Sequence, residues 1–291
     1  MEVQARFSLS AVKYWLRMEQ VAADSFQWAM ENLAADDGYL GHTITVTADG
    51  VLRASLRKGE ITVSEAFDVL SMGVGEDGTS GFPLVSVYLT GKEIKAAMEV
   101  DASVTPIMPA AQLYMSGVAY TFNTNRMFFN RVVEGHLAEP AYVNDYTAIG
   151  LEQIEDDGLY RVVTGMYSAQ LLGTVKDKSM GLLSLVPKNA QGQPITDFST
   201  CIVYDKNGNE LKEWYALAAY LENFGDQGIH EWYAFSGNGS KFVSNSMSPL
   251  VLFTNLNGIS YAAMGLALVL ILLVLLAVRF IVRRIKKKKA A

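Results

Sequence analysis

Residues 84–100 read LVSVYLTGKEIKAAMEV. Leu84–Leu89 carries the β-branched and aromatic residues of a strand, Gly91 turns the chain, and Lys92–Val100 continues as a helix. A strand leading through a short glycine turn into a helix is a building unit of α/β structure. The flanking segments extend the pattern. Upstream, Trp15, Met18, Val21, Ala22, Phe26, Ala29 and Leu33 recur at three- and four-residue spacing, which predicts a helix within 12–35 that ends at Asp36-Asp37-Gly38. His42–Ala48 alternates threonine with apolar residues and reads as a strand, and Thr62-Val63-Ser64-Glu65 has the capping-box spacing that opens a helix. Downstream, Leu113–Asn123 (with a glycine at 117), Tyr160–Met166 and Thr200–Tyr204 are expected as strands, and Glu210–Phe224 as an amphipathic helix. Residues 225–258, rich in Gly, Ser and Asn, read as a stalk.

The whole chain has 291 residues, half of them hydrophobic, which is ample for a packed core and excludes a disordered or collagen-like protein. One cysteine, Cys201, excludes an internal disulfide framework and an all-cysteine metal site, and it reads as a buried core thiol. The formal charge of −6 is divided unevenly. Seven of the 24 basic residues lie between Arg279 and Lys289, whereas none of the 30 acidic residues lies beyond Glu231. An acidic body thus precedes a strongly basic end, which argues against a nucleic-acid partner.

No charged side chain occurs between Lys241 and Arg279, and Ile259–Val278 reads ISYAAMGLALVLILLVLLAV. Twenty residues at about 1.5 Å each span the hydrocarbon core of a bilayer. Tyr261 stands at one interface and the RRIKKKK cluster at the other, so 259–282 is expected as a single-pass transmembrane helix and 283–291 as a basic cytoplasmic tail. The positive-inside rule places 1–258 outside the cytoplasm. MEVQARFSLSAVKYWLRMEQ, the first twenty residues, has no signal-peptide pattern, so either the domain is cytosolic and the helix tail-anchored with its charges reversed, or, the favoured reading, the chain is the C-terminal part of a longer exported protein, with 1–14 as a remnant linker.

Local motifs supply no catalytic constellation. Gly73-Val74-Gly75-Glu76-Asp77-Gly78 matches a dinucleotide-binding spacing, but no helix follows and two acidic residues face the phosphate position, so it reads as a flexible surface loop. Asp205-Lys206-Asn207-Gly208-Asn209 lacks the later ligands of a calcium loop and reads as a tight turn. His42, His136 and His230 stand apart, without metal-ligand spacing, and neither a nucleophile elbow nor a P-loop is found.

Four pieces in order carry a family resemblance. They are Arg53-Ala-Ser-Leu-Arg-Lys-Gly59-Glu-Ile61, Leu89-Thr90-Gly91-Lys-Glu-Ile94, Leu113-Tyr-Met-Ser116-Gly117 and Tyr160-Arg-Val-Val-Thr164, with Arg17–Glu31 as the opening helix. Together they resemble the C-terminal domain of bacterial 5′-nucleotidases over residues 15–224. The resemblance implies an α/β (α+β) fold of mixed sheets with packed helices. It further implies a substrate-gripping role beside a separate metallophosphatase domain, lost upstream or on another chain, which would hold two divalent metals. No catalytic or metal-ligating residue and no cofactor is therefore expected in this chain, and a nucleotide or nucleoside is the expected ligand.

In such domains an arginine near the phosphate and two aromatic rings around the base hold the substrate. Arg53 falls on the arginine position and Tyr167 on the second aromatic. The family's Pro-Phe-x-Asn segment corresponds to Ser71-Met72-Gly73-Val74, so Phe82 supplies the first ring on condition that the Gly-rich loop folds back. The ribose-orienting acid is missing, Leu171-Leu172-Gly173-Thr174 standing in its place. The expected function is the substrate-binding domain of a membrane-anchored phosphoesterase of nucleotide catabolism at the bacterial cell membrane. The alternative is a non-catalytic surface interaction domain whose nucleotide site has degenerated.

Overall fold

The computed structural model describes residues 6–8, 18–56, 59–140, 150–172, 185–229, 233 and 240–289. In chain order these form β1 (Arg6–Ser8), α1 (Met18–Asn32), β2 (Thr43–Ala48), β3 (Glu60–Thr62), α2 (Val63–Val69), β4 (Leu84–Thr90), α3 (Gly91–Val104), β5 (Leu113–Ser116), β6 (Val118–Asn123), β7 (Val132–Ala138), β8 (Gly150–Gln153), β9 (Leu159–Gly165), α4 (Met166–Leu172), α5 (Glu213–Asn223), β10 (Lys241–Ser244), α6 (Pro249–Phe253) and α7 (Gly258–Lys289).

A mixed sheet of order β4-β9-β2-β5 lies at the centre, with β9 parallel to β2 and the other pairings antiparallel. Both of its faces are covered. Leu84 and Val163 pack into a core built with Val21, Phe26, Leu217 and Leu221 of the helices α1 and α5. Ile44, Val87, Leu89 and Val162 point the other way, onto Ile94 and Met98 of α3 and onto Val118, Tyr120 and Leu137 of a second sheet, ordered β10-β6-β7-β8. Two-sided burial explains why β4 reads as a nearly continuous apolar run. It also explains the threonines of β2: Thr43, Thr45 and Thr47 lie buried beneath α1, and the Thr45 hydroxyl donates to the Ala23 carbonyl at 2.7 Å. The helix backbone thereby offsets the cost of taking that hydroxyl out of water.

Capping chemistry fixes where the helices begin. Thr62 and Glu65 form the expected capping box of α2. Thr90 and Glu93 form a second one at α3, so the Leu-Thr-Gly turn supplies both the end of β4 and the cap of the next helix. The same Glu93 carboxylate accepts from Lys188 Nζ at 2.6 Å and Val186 N–H at 3.0 Å, which ties the 185–188 segment to the helix start. At the far end of α3, buried Asp101 accepts from Tyr120 Oη and from the Leu113 N–H, and it pairs with Lys241 Nζ at 2.8 Å. One carboxylate thus joins α3, both sheets and β10.

The structure corrects four sequence expectations. Leu113–Asn123 is not one strand. Gly117, at φ +83°, breaks it so that β5 joins the central sheet and β6 the second. Thr200–Tyr204 is not a strand either: a 3₁₀ turn covers Phe198–Cys201, and only single bridges follow, from Ile202 to Val85 and from Tyr204 to Glu210. Cys201 is half-buried rather than fully enclosed. The stalk expected over 225–258 gives way, in its described part, to β10, which runs parallel to β6 with Lys241 opposite Tyr120, and to α6. The helical ends shift modestly, to Met18–Asn32 and Glu213–Asn223; residues 12–17 lie outside the described set. Finally, Gly258–Arg283 of α7 is long and apolar enough to cross a membrane, and none of its most apolar stretch is buried by the rest of the chain, as a soluble core helix would be.

Gly117 combines a left-handed backbone with a close approach, because a Cβ there would overlap the Thr43 carbonyl oxygen. Gly117→Ala is therefore expected to cost about 1–3 kcal/mol or more, read as a lower urea midpoint of the detergent-solubilised chain. An unchanged midpoint would contradict the split between the sheets.

Candidate functional site

The β4–β9 ladder pairs Leu84 with Gly165, and the Met166 N–H extends it by donating to the Pro83 carbonyl at 3.0 Å. Phe82 and Tyr167 each lie two residues beyond the Leu84–Gly165 pair, so the antiparallel register carries them to the same end of the sheet. Their rings are nearly parallel there, with centroids 6.2 Å apart and planes at 11°. Phe82 is partly buried against Val85, Met166, Ala169 and Ile202, with Phe198 and Cys201 around the same cluster, whereas Tyr167 is 36% exposed.

The glycine-rich segment folds back onto Phe82. Gly81 N–H donates to the Gly73 carbonyl at 2.9 Å, Gly75 N–H to Thr79 at 3.0 Å, and Phe82 N–H to Met72 at 2.8 Å, making a tight hairpin. Gly73, at φ +74°, lies directly against the Phe82 ring, where any side chain would overlap it. The segment is therefore an anchored hairpin rather than a free surface loop. Buried Lys212 holds its tip, with Nζ 2.8 Å from Asp77 Oδ1 and 2.6 Å from Glu210 Oε2. The Asp77 N–H donates to Glu210 Oε1 at 2.9 Å, and Trp214 Nε1 donates to the Ser80 carbonyl at 3.1 Å. The Lys212 hydrogen bond, helped by Thr79, holds the Asp77 carboxyl down at about 2.

The third residue singled out from the sequence lies differently. Arg53 is exposed, its N–H donates to the Val69 carbonyl at 2.9 Å, and its guanidinium turns back onto the Gly50 carbonyl. Among the described residues it makes no contact with either ring. The structure thus brings Phe82 and Tyr167 together and leaves Arg53 outside their pairing.

Sequence reasoning missed the residues that lock the hairpin. Lys212 and Glu210 lie far from Asp77 along the chain, and no local pattern announces their pairing. Asp205 forms the expected tight turn, its Oδ1 accepting from the N–H groups of Asn207 and Asn209, both at 2.8 Å. His42 bonds the Gly117 carbonyl and His136 stands 3.7 Å from Glu134; His230 lies outside the described residues. Among the described residues no three His, Cys, Asp or Glu side chains group as metal ligands.

The family model of the 5′-nucleotidase C-terminal domain matches residues 16–174. The trifunctional nucleotide phosphoesterase protein YfkN of Bacillus subtilis (strain 168) is 32% identical over 127 residues, an alignment that covers 44% of this chain and 8% of that protein. This chain accordingly spans less than a tenth of that relative's length. Among solved structures, the 5′-nucleotidase precursor of Thermus thermophilus superposes with a TM-score of 0.52 at 23% identity, over 83% of this chain and 38% of that one. The NAD nucleotidase NadN of Haemophilus influenzae gives a TM-score of 0.46 at 16% identity, over 78% and 33%. The likeness to the Thermus protein shows a common fold of mixed sheets and packed helices.

Glu213 sits beside this end of the sheet. Its N–H donates to the Phe82 carbonyl at 3.1 Å, and its carboxyl fills the space beside Gly165 where a side chain would project. The residue is only 4% exposed, and burial pushes its pKa from an ordinary 4.5 up to about 8. The folded chain then holds a proton that the unfolded chain has released. Stability is full below the unfolded value and falls as pH rises towards the folded one. Burial likewise raises Asp24 to about 6, although Tyr233 and Gln20 donate to it, so it adds a slope over a lower window. Glu213→Gln is expected to flatten the loss of stability between about pH 5 and 8, measured as urea midpoints across that range. An equally steep loss in the variant would show that Glu213 is ionised in the folded state.

Proposed function

This chain belongs to the family of 5′-nucleotidase C-terminal domains, and we propose that it is the base-gripping part of a membrane-anchored phosphoesterase acting on nucleotides, with Phe82 and Tyr167 as the walls of the base slot. The observation that carries this reading is the near-parallel ring pair at 6.2 Å. Carbon atoms in contact lie about 3.5 Å apart, so a planar base between two rings needs about 7 Å. With centroids 6.2 Å apart the rings must part by at least about 1 Å to admit it. Every nucleobase presents a π-face, so the slot would grip any of them. Arg53 would approach a phosphate once it releases the Gly50 carbonyl.

Hydrolysis of a phosphoester in this reading would depend on metals held by a metallophosphatase domain elsewhere, which would supply the activation of water. The apolar helix and the basic end that follows it support anchorage in the bacterial cell membrane, with the domain on the extracytoplasmic side. The alternative, a surface interaction domain, would use 73–81 as an outward partner loop. Its engagement with Phe82 and Lys212 favours the clamp instead.

Titration of the chain with adenosine and uridine, followed by calorimetry, tests the clamp. Tyr167→Ala is expected to weaken binding by about 1–3 kcal/mol, about 5- to 150-fold, and Phe82→Leu to weaken it as well. Binding indifferent to both substitutions, or no binding to any nucleoside, would favour the interaction domain. With AMP and added divalent metal, the chain alone is expected to release no phosphate. Metal-dependent release would overturn the division of labour.

A further inference from the structure

The apolar helix does not hang from the domain on a free tether. Asn257 caps it, its Oδ1 accepting from the Ser260 N–H at 2.9 Å. The same side chain donates through Nδ2 to the Phe129 carbonyl, and the Asn257 N–H donates to Asn130 Oδ1 at 2.8 Å. Buried Arg126 completes the lock. Its Nη1 donates to the Val251 carbonyl and its Nη2 to the Thr254 carbonyl, both at 2.8 Å, while its Nε holds the Asn130 carbonyl at 2.7 Å. Asn123 and Asn125 bind the Ser246 and Asn245 carbonyls at 3.0 and 2.7 Å. Phe129 (φ +58°) and Asn255 (φ +50°) both take the left-handed backbone at this junction. A bulky residue adopts that conformation only where its surroundings over-determine it.

This lock carries exposed apolar side chains beside the start of the helix. Met247, Leu250 and Phe253 are exposed on α6 and the connection before it, and Phe128 is exposed on the β6–β7 turn that Arg126 and Asn257 hold; Phe242 and Val243 are exposed on opposite sides of β10. Leu250 is 73% exposed. From Phe242 to Val278 the chain carries no charged side chain, so the face continues into the apolar helix without a charge between them. Phe253 and Gly258 are five positions apart, a reach of about 18 Å at most, which keeps Phe253 near the membrane surface.

We propose that this face lies in the lipid headgroup layer, so that Phe128, Met247, Leu250 and Phe253 enter the bilayer surface and seat the domain on the membrane in one orientation. The inference rests on the reading of Gly258–Arg283 as a membrane span. Exposed apolar groups gain by leaving water for the acyl boundary, the Arg131 guanidinium over the Phe128 ring can stay among the headgroups, and a span that starts five positions beyond Phe253 holds them at that depth.

The single native cysteine makes the test direct. In a Cys201→Ser background, Leu250→Cys, Phe128→Cys, Leu270→Cys and Leu40→Cys are each labelled with a nitroxide and reconstituted as full chain in phosphatidylethanolamine–phosphatidylglycerol vesicles. Collision with oxygen, which concentrates in lipid, is compared with collision with a water-soluble nickel chelate. Position 40, 99% exposed on the acidic body, is the aqueous reference. The expected result is an oxygen-to-nickel ratio at 250 and 128 several-fold above that at 40, approaching that at 270. If 270 reads as lipid while 250 or 128 matches 40, the face stands in water and the proposal falls. A drop in both collision rates at 250 would mean burial against protein and overturn it equally. If 270 itself matches 40, the membrane-span reading fails and the proposal with it.

Discussion

The antiparallel ladder between β4 and β9 is the constraint on which the rest of the molecule depends. Its seven pairs run from Leu84–Gly165 to Thr90–Leu159. At one end the register sets Phe82 against Tyr167. At the other it delivers Thr90 to cap α3, where Gly91 N–H meets the Gly158 carbonyl at 2.9 Å. A slip of one residue would turn Leu84 and Val163 out of the helical core and Val87 and Val162 out of the opposite one. It would also separate the rings. Stability and ligand geometry are therefore set by the same register, and burial on both faces of the sheet leaves that register no alternative.

The polar groups that survive in this interior each join segments that the ladder alone does not hold. Asp101 joins α3 to β5, β6 and β10, while Lys212 joins the start of α5 to the hairpin tip. Buried ion pairs add little net stability over apolar packing, but leaving one partner unpaired is costly. Their effect is on arrangement: with Lys212 between Asp77 and Glu210, the hairpin has one place to lie, and that place puts Gly73 on the Phe82 ring.

What was legible in the sequence was local. The β4–α3 passage, the Thr62–Glu65 box and the apolar helix follow from residues within a few positions of one another, and the ordered motifs carried the family likeness. The break at Gly117 was not legible, because strand-forming residues flank it on both sides and only the backbone sign separates two sheets from one. Thr200–Tyr204 has strand composition, yet packing of Cys201 and Ile202 at the sheet end prevailed over it. The 225–258 segment reads as a stalk because Gly, Ser and Asn usually mark loops. Its described end is instead fixed by Asn and Arg side chains bonded to backbone carbonyls, an arrangement without an apolar signature. Phe82 was reached through the family resemblance, on condition that the Gly-rich loop folds back; its place two residues before Leu84 is matched by Tyr167 two beyond Gly165. That symmetry acquires meaning only when the register is known.

The two rings are not held alike, and this decides how a slot between them could open. Phe82 is bracketed by backbone hydrogen bonds at its own N–H and carbonyl, to Met72 and from Glu213, and Gly73 backs its ring. Tyr167 is the second residue of the seven-residue α4 and is partly exposed. Opening therefore falls to Tyr167, whose side chain can turn without breaking a ladder bond, while Phe82 stays held in place. Charge does little to draw a ligand in. The body ahead of the basic end is acidic, and the nearest buried cation, Lys212, is already shared between two carboxylates. A phosphate would feel little long-range attraction, so on the proposed reading selection at this end of the sheet would rest on the flat apolar face of the ligand, and a grip on phosphate would have to come locally, as from Arg53.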